Sequence, residues 1–249
     1  FGRAFRDLIH PQDRKKFSTL ISGSPEAMDP LKIYCRIRHF RRLSHGIHVK
    51  TNAVKFTPFM LRFSYKNCLV ILATPFYSRF KESCEQIKDA TPFVLRHSAD
   101  GLIDYVSPES IQYLGYLPQD LIDINALHLF NQNDLPYICQ LYQDVMKNGS
   151  APRSKPYRIR CRNGDYLSLE TEWSTFINPW SRKLEFVIGK NYVVEGPSKP
   201  DVFSCPSEEF NNIIKAMQKP TSKCEELAKQ LLSKRSQTLN SILEEAEKN

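Results

Sequence analysis

The chain has 249 residues, with 35 Lys+Arg against 27 Asp+Glu for a formal charge of +8, 41% hydrophobic and 25% charged residues. That mix is too apolar for a disordered tail and suits a globular chain of roughly one to two domains. The longest apolar run, Cys68 to Ala73, is strand length and far short of the ~18 residues of a membrane-crossing helix, so no membrane role is expected. Phe1-Gly2-Arg3 offers neither an initiating Met nor a basic-then-apolar leader, so a signal peptide is not expected and the chain reads as a piece of something longer. Seven cysteines, with no CxxC, argue against a disulfide framework or zinc site and for reduced thiols in cytosol or nucleus.

The basic excess is N-terminal: residues 1–76 hold 14 Lys+Arg and 4 Asp+Glu, whereas the other 173 hold 21 and 23. Phe5 to Asp13 leads into a helix predicted from Arg14 to about Ile21, with Asp13 as a cap-like residue. Strands are predicted near Lys32–Phe40, His48–Thr57 and Asn67–Thr74. Arg36, Arg38 and Arg42 interleave with Ile37 and Phe40, a pattern read as the solvent face of a folded unit rather than a nucleic-acid-binding arm. This first copy of an approximate internal repeat lacks an opening hairpin, so an exposed sheet edge is expected. Residues 77–91 read as a charged linker, with Tyr77 to Ala90 able to form a short helix.

The second copy spans 92–193. Phe93 to Arg96 and Leu102 to Val106 are strands around Asp100-Gly101, a dipeptide suited to a hairpin turn, and Ser107-Pro108 opens a short helix to Tyr113. From Asp134, Ile138, Leu141, Tyr142 and Val145 recur at helical spacing until Gly149. Residues 151–193 then hold the later strands. Tyr157, Ile159 and Cys161 alternate with arginines, Asn163-Gly164 turns, and Leu167, Leu169, Thr171 and Trp173 alternate with polar residues. A last strand runs from Leu184 to Ile188. The fold class is therefore α+β, an antiparallel sheet flanked by short helices.

Residues 194–249 are an exit segment and helices. Phe210, Ile213, Ile214 and Met217 keep i, i+3, i+4, i+7 spacing until Pro220, and a second helix starts at Ser222 with Glu225 in a capping box. The heptads are too few for a free coiled coil, so docking on the preceding domain or on a partner is expected.

Asn178-Pro179-Trp180-Ser181-Arg182 sits between two strands, where proline and polar residues specify a loop. A tryptophan there either folds back on its own sheet or anchors a partner, since one ring buries a large area.

The repeat, with Gly115-Tyr-Leu-Pro-Gln-Asp-Leu-Ile122, Ser154-Lys-Pro-Tyr157, Leu169-Glu-Thr-Glu-Trp173, Phe176-Ile-Asn-Pro-Trp-Ser-Arg-Lys183 and Gly196-Pro-Ser-Lys-Pro-Asp-Val-Phe203, resembles the PAS repeats of the PERIOD circadian clock proteins, nearer to arthropod than vertebrate forms. The likeness is strong over 92–203, moderate over 1–76 and positional beyond. It implies tandem PAS domains: the C-terminal part of PAS-A in 1–76, PAS-B in 92–193 with PAC-like strands from 151, and C-terminal α-helices. It also implies a clock component that accumulates rhythmically and pairs with itself through its PAS domains and a C-terminal helix. Further implications are pairing with TIMELESS in insects, shuttling between cytoplasm and nucleus, repression of transcription driven by bHLH-PAS activators, feedback on its own expression, and modification by clock kinases.

The same resemblance makes Trp180, with Pro179 and Arg182, an interface that reaches into a PAS domain of the partner, and gives Phe210, Ile213, Ile214 and Met217 a dimer role. Two alternatives remain open, a ligand- or haem-sensing PAS protein and a fragment of a bHLH-PAS transcription factor.

No cofactor is expected. Asn67-Cys68-Leu69 and Arg160-Cys161-Arg162 do not match the flavin signature of some PAS domains. His10, His97 and His128 read as structural, and His45-Gly-Ile-His48 lacks supporting cysteines for zinc. No GxSxG, HExxH or phosphate-cradling loop points to an enzyme, and no basic region, zinc finger or RNP-type motif points to direct DNA or RNA binding.

Overall fold

Alternating apolar and polar residues build two antiparallel sheets in the computed structural model, which describes residues 4–21, 31–38, 56–66 and 68–204. Both sheets belong to one compact unit, Phe1–Cys205. The helix bearing Phe210, Ile213, Ile214 and Met217, the one expected from Ser222, and His45 and His48 lie outside the described residues.

The first sheet follows α1 (Phe5–Leu8) and α2 (Pro11–Ile21) and has the order β1 (Lys32–Arg38), β2 (Phe56–Lys66), β3 (Cys68–Pro75). Helix α2 begins three residues before Arg14 because Pro11, lacking an N–H, suits the first helical turn. Strand β2 differs from the expectation of a strand ending at Thr57. Pro58 argues against a strand there, yet Phe59, Leu61 and Phe63 continue the alternation, and Leu61 and Phe63 join Ile9, Phe17, Ile33 and Cys35 in one core. Burial pushes the Cys35 thiol pKa up to about 12, so it packs as a small apolar group. Among the described strands only β2 pairs with β3, and Leu69, Val70 and Leu72 on β3 are exposed.

Arg36 is a correction to the solvent-face reading: it is 4% exposed. Asp13, placed by sequence as a cap, instead receives Arg36 Nε and Nη2 at 2.9 and 2.8 Å, and the Arg36 backbone N at 2.9 Å. A buried guanidinium is tolerable only with such a fork, and the partner lies 23 residues away, beyond any local pattern.

The second sheet has the order β5 (Ile103–Val106), β4 (Phe93–Ser98), β9 (Leu184–Glu195), β8 (Tyr166–Ile177), β6 (Ser150–Ala151), with β7 (Tyr157–Arg160) also on β8. Gly101 turns between β4 and β5 at φ +80. Helices α3 (Ile111–Leu114), α4 (Pro118–Leu121) and α5 (Leu135–Asn148) share a core with Phe93, Leu95, Leu167, Leu169, Trp173 and Val187. The predicted stripe on α5 is buried at Ile138, Leu141 and Val145, and Gly149 ends the helix with a left-handed backbone.

Strand β9 runs seven residues beyond the predicted end at Ile188. Gly189 and Asn191 look like strand breakers, but each has a place. A Cβ at Gly189 would lie 3.2 Å from Trp173 Cζ3, so glycine makes room for the indole. Buried Asn191 accepts from Thr171 Oγ1 at 2.8 Å and donates to the Phe93 carbonyl at 3.3 Å.

The stretch after β3 forms no helix. Ile87 N donates to Val194 O, Gly196 N to Glu85 O and Cys84 N to Pro197 O, so this stretch lies along the end of β9, pinned by Phe80 in the second core.

Candidate protein interface

The β8–β9 hairpin ends in a loop closed by Asn178. Its Oδ1 accepts from Trp180 N at 2.9 Å and Ser181 N at 3.0 Å, the turn-forming use of an Asn side chain. Asn178 N donates to Lys183 O, Arg182 N donates to Asn178 O, and Asn178 Nδ2 reaches Glu185 Oε1. Arg182 takes a left-handed backbone at φ +55, unusual for a non-glycine residue, to complete the turn. The loop is thus a hydrogen-bonded turn, and Pro179, Trp180 and Arg182 all stand exposed on it.

Trp180 is 88% exposed. It does not fold back on its sheet, unlike Trp173, which is buried between His97 and Tyr142 with ring centres at 6.4 and 5.2 Å.

Sequence reading missed the surface beside the loop. Phe176 and Phe186 face each other across the strands and stack at 4.7 Å with 8° between planes. The Arg96 guanidinium lies 4.9 Å from the Phe186 ring and 5.8 Å from Tyr105. Phe176 and Tyr105 are exposed and form an apolar patch with Phe186 and Arg96, and Ile177, past a register shift at Phe176, is exposed at the base of the loop. Strand parity contained the signal: with Leu167, Leu169, Thr171 and Trp173 inward, Phe176 must point outward. Farther from the loop the same face turns polar. Glu172 approaches Lys190 at 3.9 Å and accepts from the Tyr192 hydroxyl, and Arg153 pairs with Glu170.

His97 engages both ring nitrogens, Nδ1 with Ser98 O at 2.9 Å and Nε2 with the Tyr142 hydroxyl at 2.6 Å. His10 rests edge-on against Phe56 at 4.6 Å. The Cys161 thiol is pushed up by burial and donates to Tyr113 O. Among the described residues no three His, Cys, Asp or Glu side chains gather as a metal site.

A family model described as a PAS domain matches residues 90–198. The Period circadian protein of Manduca sexta is 43% identical over 278 residues, covering 98% of this chain and 78% of that protein. That of Antheraea pernyi is 42% identical, covering 98% of this chain and 33% of that protein. Period circadian protein homolog 2 of Homo sapiens is 31% identical over 83% of this chain and 17% of its own length.

Proposed function

The chain belongs to the Period circadian protein family, and on that premise we propose that it is a non-enzymatic interaction module of the clock, with Trp180 as its principal anchor. Residues 1–76 are the latter part of a first PAS domain and 92–193 a second, which fits the two sheets with separate cores and the family match over 90–198. The observation that carries the reading is a hydrogen-bonded turn holding an 88% exposed tryptophan beside exposed Phe176 and Ile177. Trp is the residue type most enriched among binding hot spots, and a preformed loop spares the ordering cost of association.

In this reading the chain forms homodimers, with Pro179 and Arg182 flanking Trp180 and the segment holding Phe210, Ile213, Ile214 and Met217 adding contact area. It pairs in turn with a TIMELESS-like protein, moves between cytoplasm and nucleus, and represses transcription driven by bHLH-PAS activators, including its own. Direct DNA binding and a bound cofactor are not part of it.

Trp180→Glu tests the anchor. Loss of a hot spot worth about 2 kcal/mol weakens association roughly 30-fold. Sedimentation of the full chain should show that loss, with matching loss of TIMELESS in pull-down and an unchanged circular dichroism spectrum. An unchanged association constant would sink the assignment.

A further inference from the structure

Arg36 on β1 is held by carboxylates from two places in the chain. Asp13 takes it in a fork, both side chains about 5% exposed or less. Asp120, on α4, takes the same Nη2 through Oδ1 at 2.9 Å and is 22% exposed. One residue earlier, Gln119 Nε2 donates to the Tyr34 carbonyl of β1 at 2.7 Å. Helix α4 is itself rooted in the second core by Leu121, which is fully buried. A four-residue helix thus has its apolar side in one sheet's core and two polar side chains on a strand of the other sheet.

The two carboxylates are not equivalent. If Asp120 let go, Arg36 would keep its buried fork with Asp13, so no charge would be stranded in the first core. Asp120 would meet water and still accept from Leu117 N, which its Oδ2 holds at 3.2 Å. Breaking Asp120 from Arg36 therefore leaves the guanidinium still paired by Asp13, and releasing Gln119 frees only the Tyr34 carbonyl on the edge strand β1, whereas breaking Arg36 from Asp13 would strand a buried charge. Strong when made and inexpensive to release, the contact is suited to opening and closing.

We propose that α4 is a latch: Gln119 and Asp120 clasp β1 and fix the first sheet against the second, and their release lets the two sheets reorient with both folds intact. Repacking around Leu121 in the second core would then reach the first sheet through one turn of helix. This device is independent of Trp180, which lies on the β8–β9 loop.

Pulsed electron paramagnetic resonance on the full chain tests it, with spin labels at Leu72 on β3 and Lys190 on β9, both exposed, and the exposed cysteines changed to serine. The parent should give one narrow distance distribution. Gln119→Ala combined with Asp120→Asn should raise the released population roughly tenfold and broaden the distribution, with circular dichroism and thermal unfolding unchanged. Gln119→Ala alone, which leaves the Asp120 bond to Leu117 in place, should give a smaller broadening of the same kind. Distributions matching the parent in both variants overturn the latch. So does loss of the second fold in Gln119→Ala, which would make the residue part of that core's support.

Discussion

His97 carries one of the few titrations buried in the second core. The Ser98 carbonyl can only accept, so Nδ1 bears the proton, and in the neutral ring Nε2 accepts a hydrogen bond from the Tyr142 hydroxyl. Burial pushes its pKa below the ordinary 6.5, against the opposing pull of the Ser98 bond and the Asp104 charge. Between the lowered value and about 6.5 the unfolded chain binds more protons than the folded one, so stability rises with pH. The contribution is complete above about pH 6.5 and is lost as pH falls through the folded value. His10, lowered by its burial and by the nearby Arg36, acts in the same sense. Urea midpoints should therefore drop between about pH 7.5 and pH 5.5. His97→Asn should flatten that dependence while costing about 1–3 kcal/mol at the higher pH, because Tyr142 loses its partner. A dependence as steep in the variant would remove His97 from the account. His97 is legible as structural from apolar Leu95 and Val94 beside it, but Tyr142, 45 residues on, is not. Arg36 is the harder case, since its alternation with Cys35 and Ile37 says solvent and only the long-range fork with Asp13 says core.

Among the elements, those set by local period are the ones a reader of the sequence finds. Helix α5, with its apolar stripe and Gly149 stop, and the β7–β8 turn at Asn163-Gly164 are read almost in full, because side-chain spacing alone decides them. Strand β9 and the stretch 77–91 are not, because their reasons lie across the sheet. Gly189 answers to Trp173, and Gly196 answers to Phe80: a Cβ on Gly196 would fall 2.5 Å from Phe80 Cδ1. The stretch has an apolar anchor at Phe80 and is tied further by Ser83 Oγ to Ser198 O at 2.7 Å and by the Ser78 hydroxyl to the Pro200 carbonyl. Gly196→Ala should expel or tilt that ring and cost about 1–3 kcal/mol by overpacking. Trypsin should then cut faster at Arg79, Lys81 or Lys88, with the fragments identified by mass; cutting at the parent rate would show that Phe80 does not hold the ribbon. The candidate interface divides in the same way, since Pro179 and the polar residues around Trp180 announce a loop whereas the stacked pair of Phe176 and Phe186 needs the register of two strands.

For the molecule as a whole, the two sheets differ in how their last strands are covered. Strand β9 has β8 on one side and β4 on the other, while β3 has a described neighbour only in β2. Strand β3 reads Cys-Leu-Val-Ile-Leu-Ala-Thr-Pro without a charge, and Leu72 is 59% exposed. Among the described residues β3 is thus a neutral apolar edge, a template for another chain, and natural edges are guarded by lysine or a bulge that β3 lacks. Leu72→Lys should therefore slow concentration-dependent light scattering several-fold with little change in secondary structure; equal scattering would clear the edge. The consequence reaches any solution experiment on pairing. On the proposed reading two chains meet specifically at the tryptophan, and an edge left open at β3 would add a second, open-ended contact with no natural stopping size. A dilution series in the Leu72→Lys background separates them, since a closed dimer saturates whereas edge growth lengthens with every increase in protein.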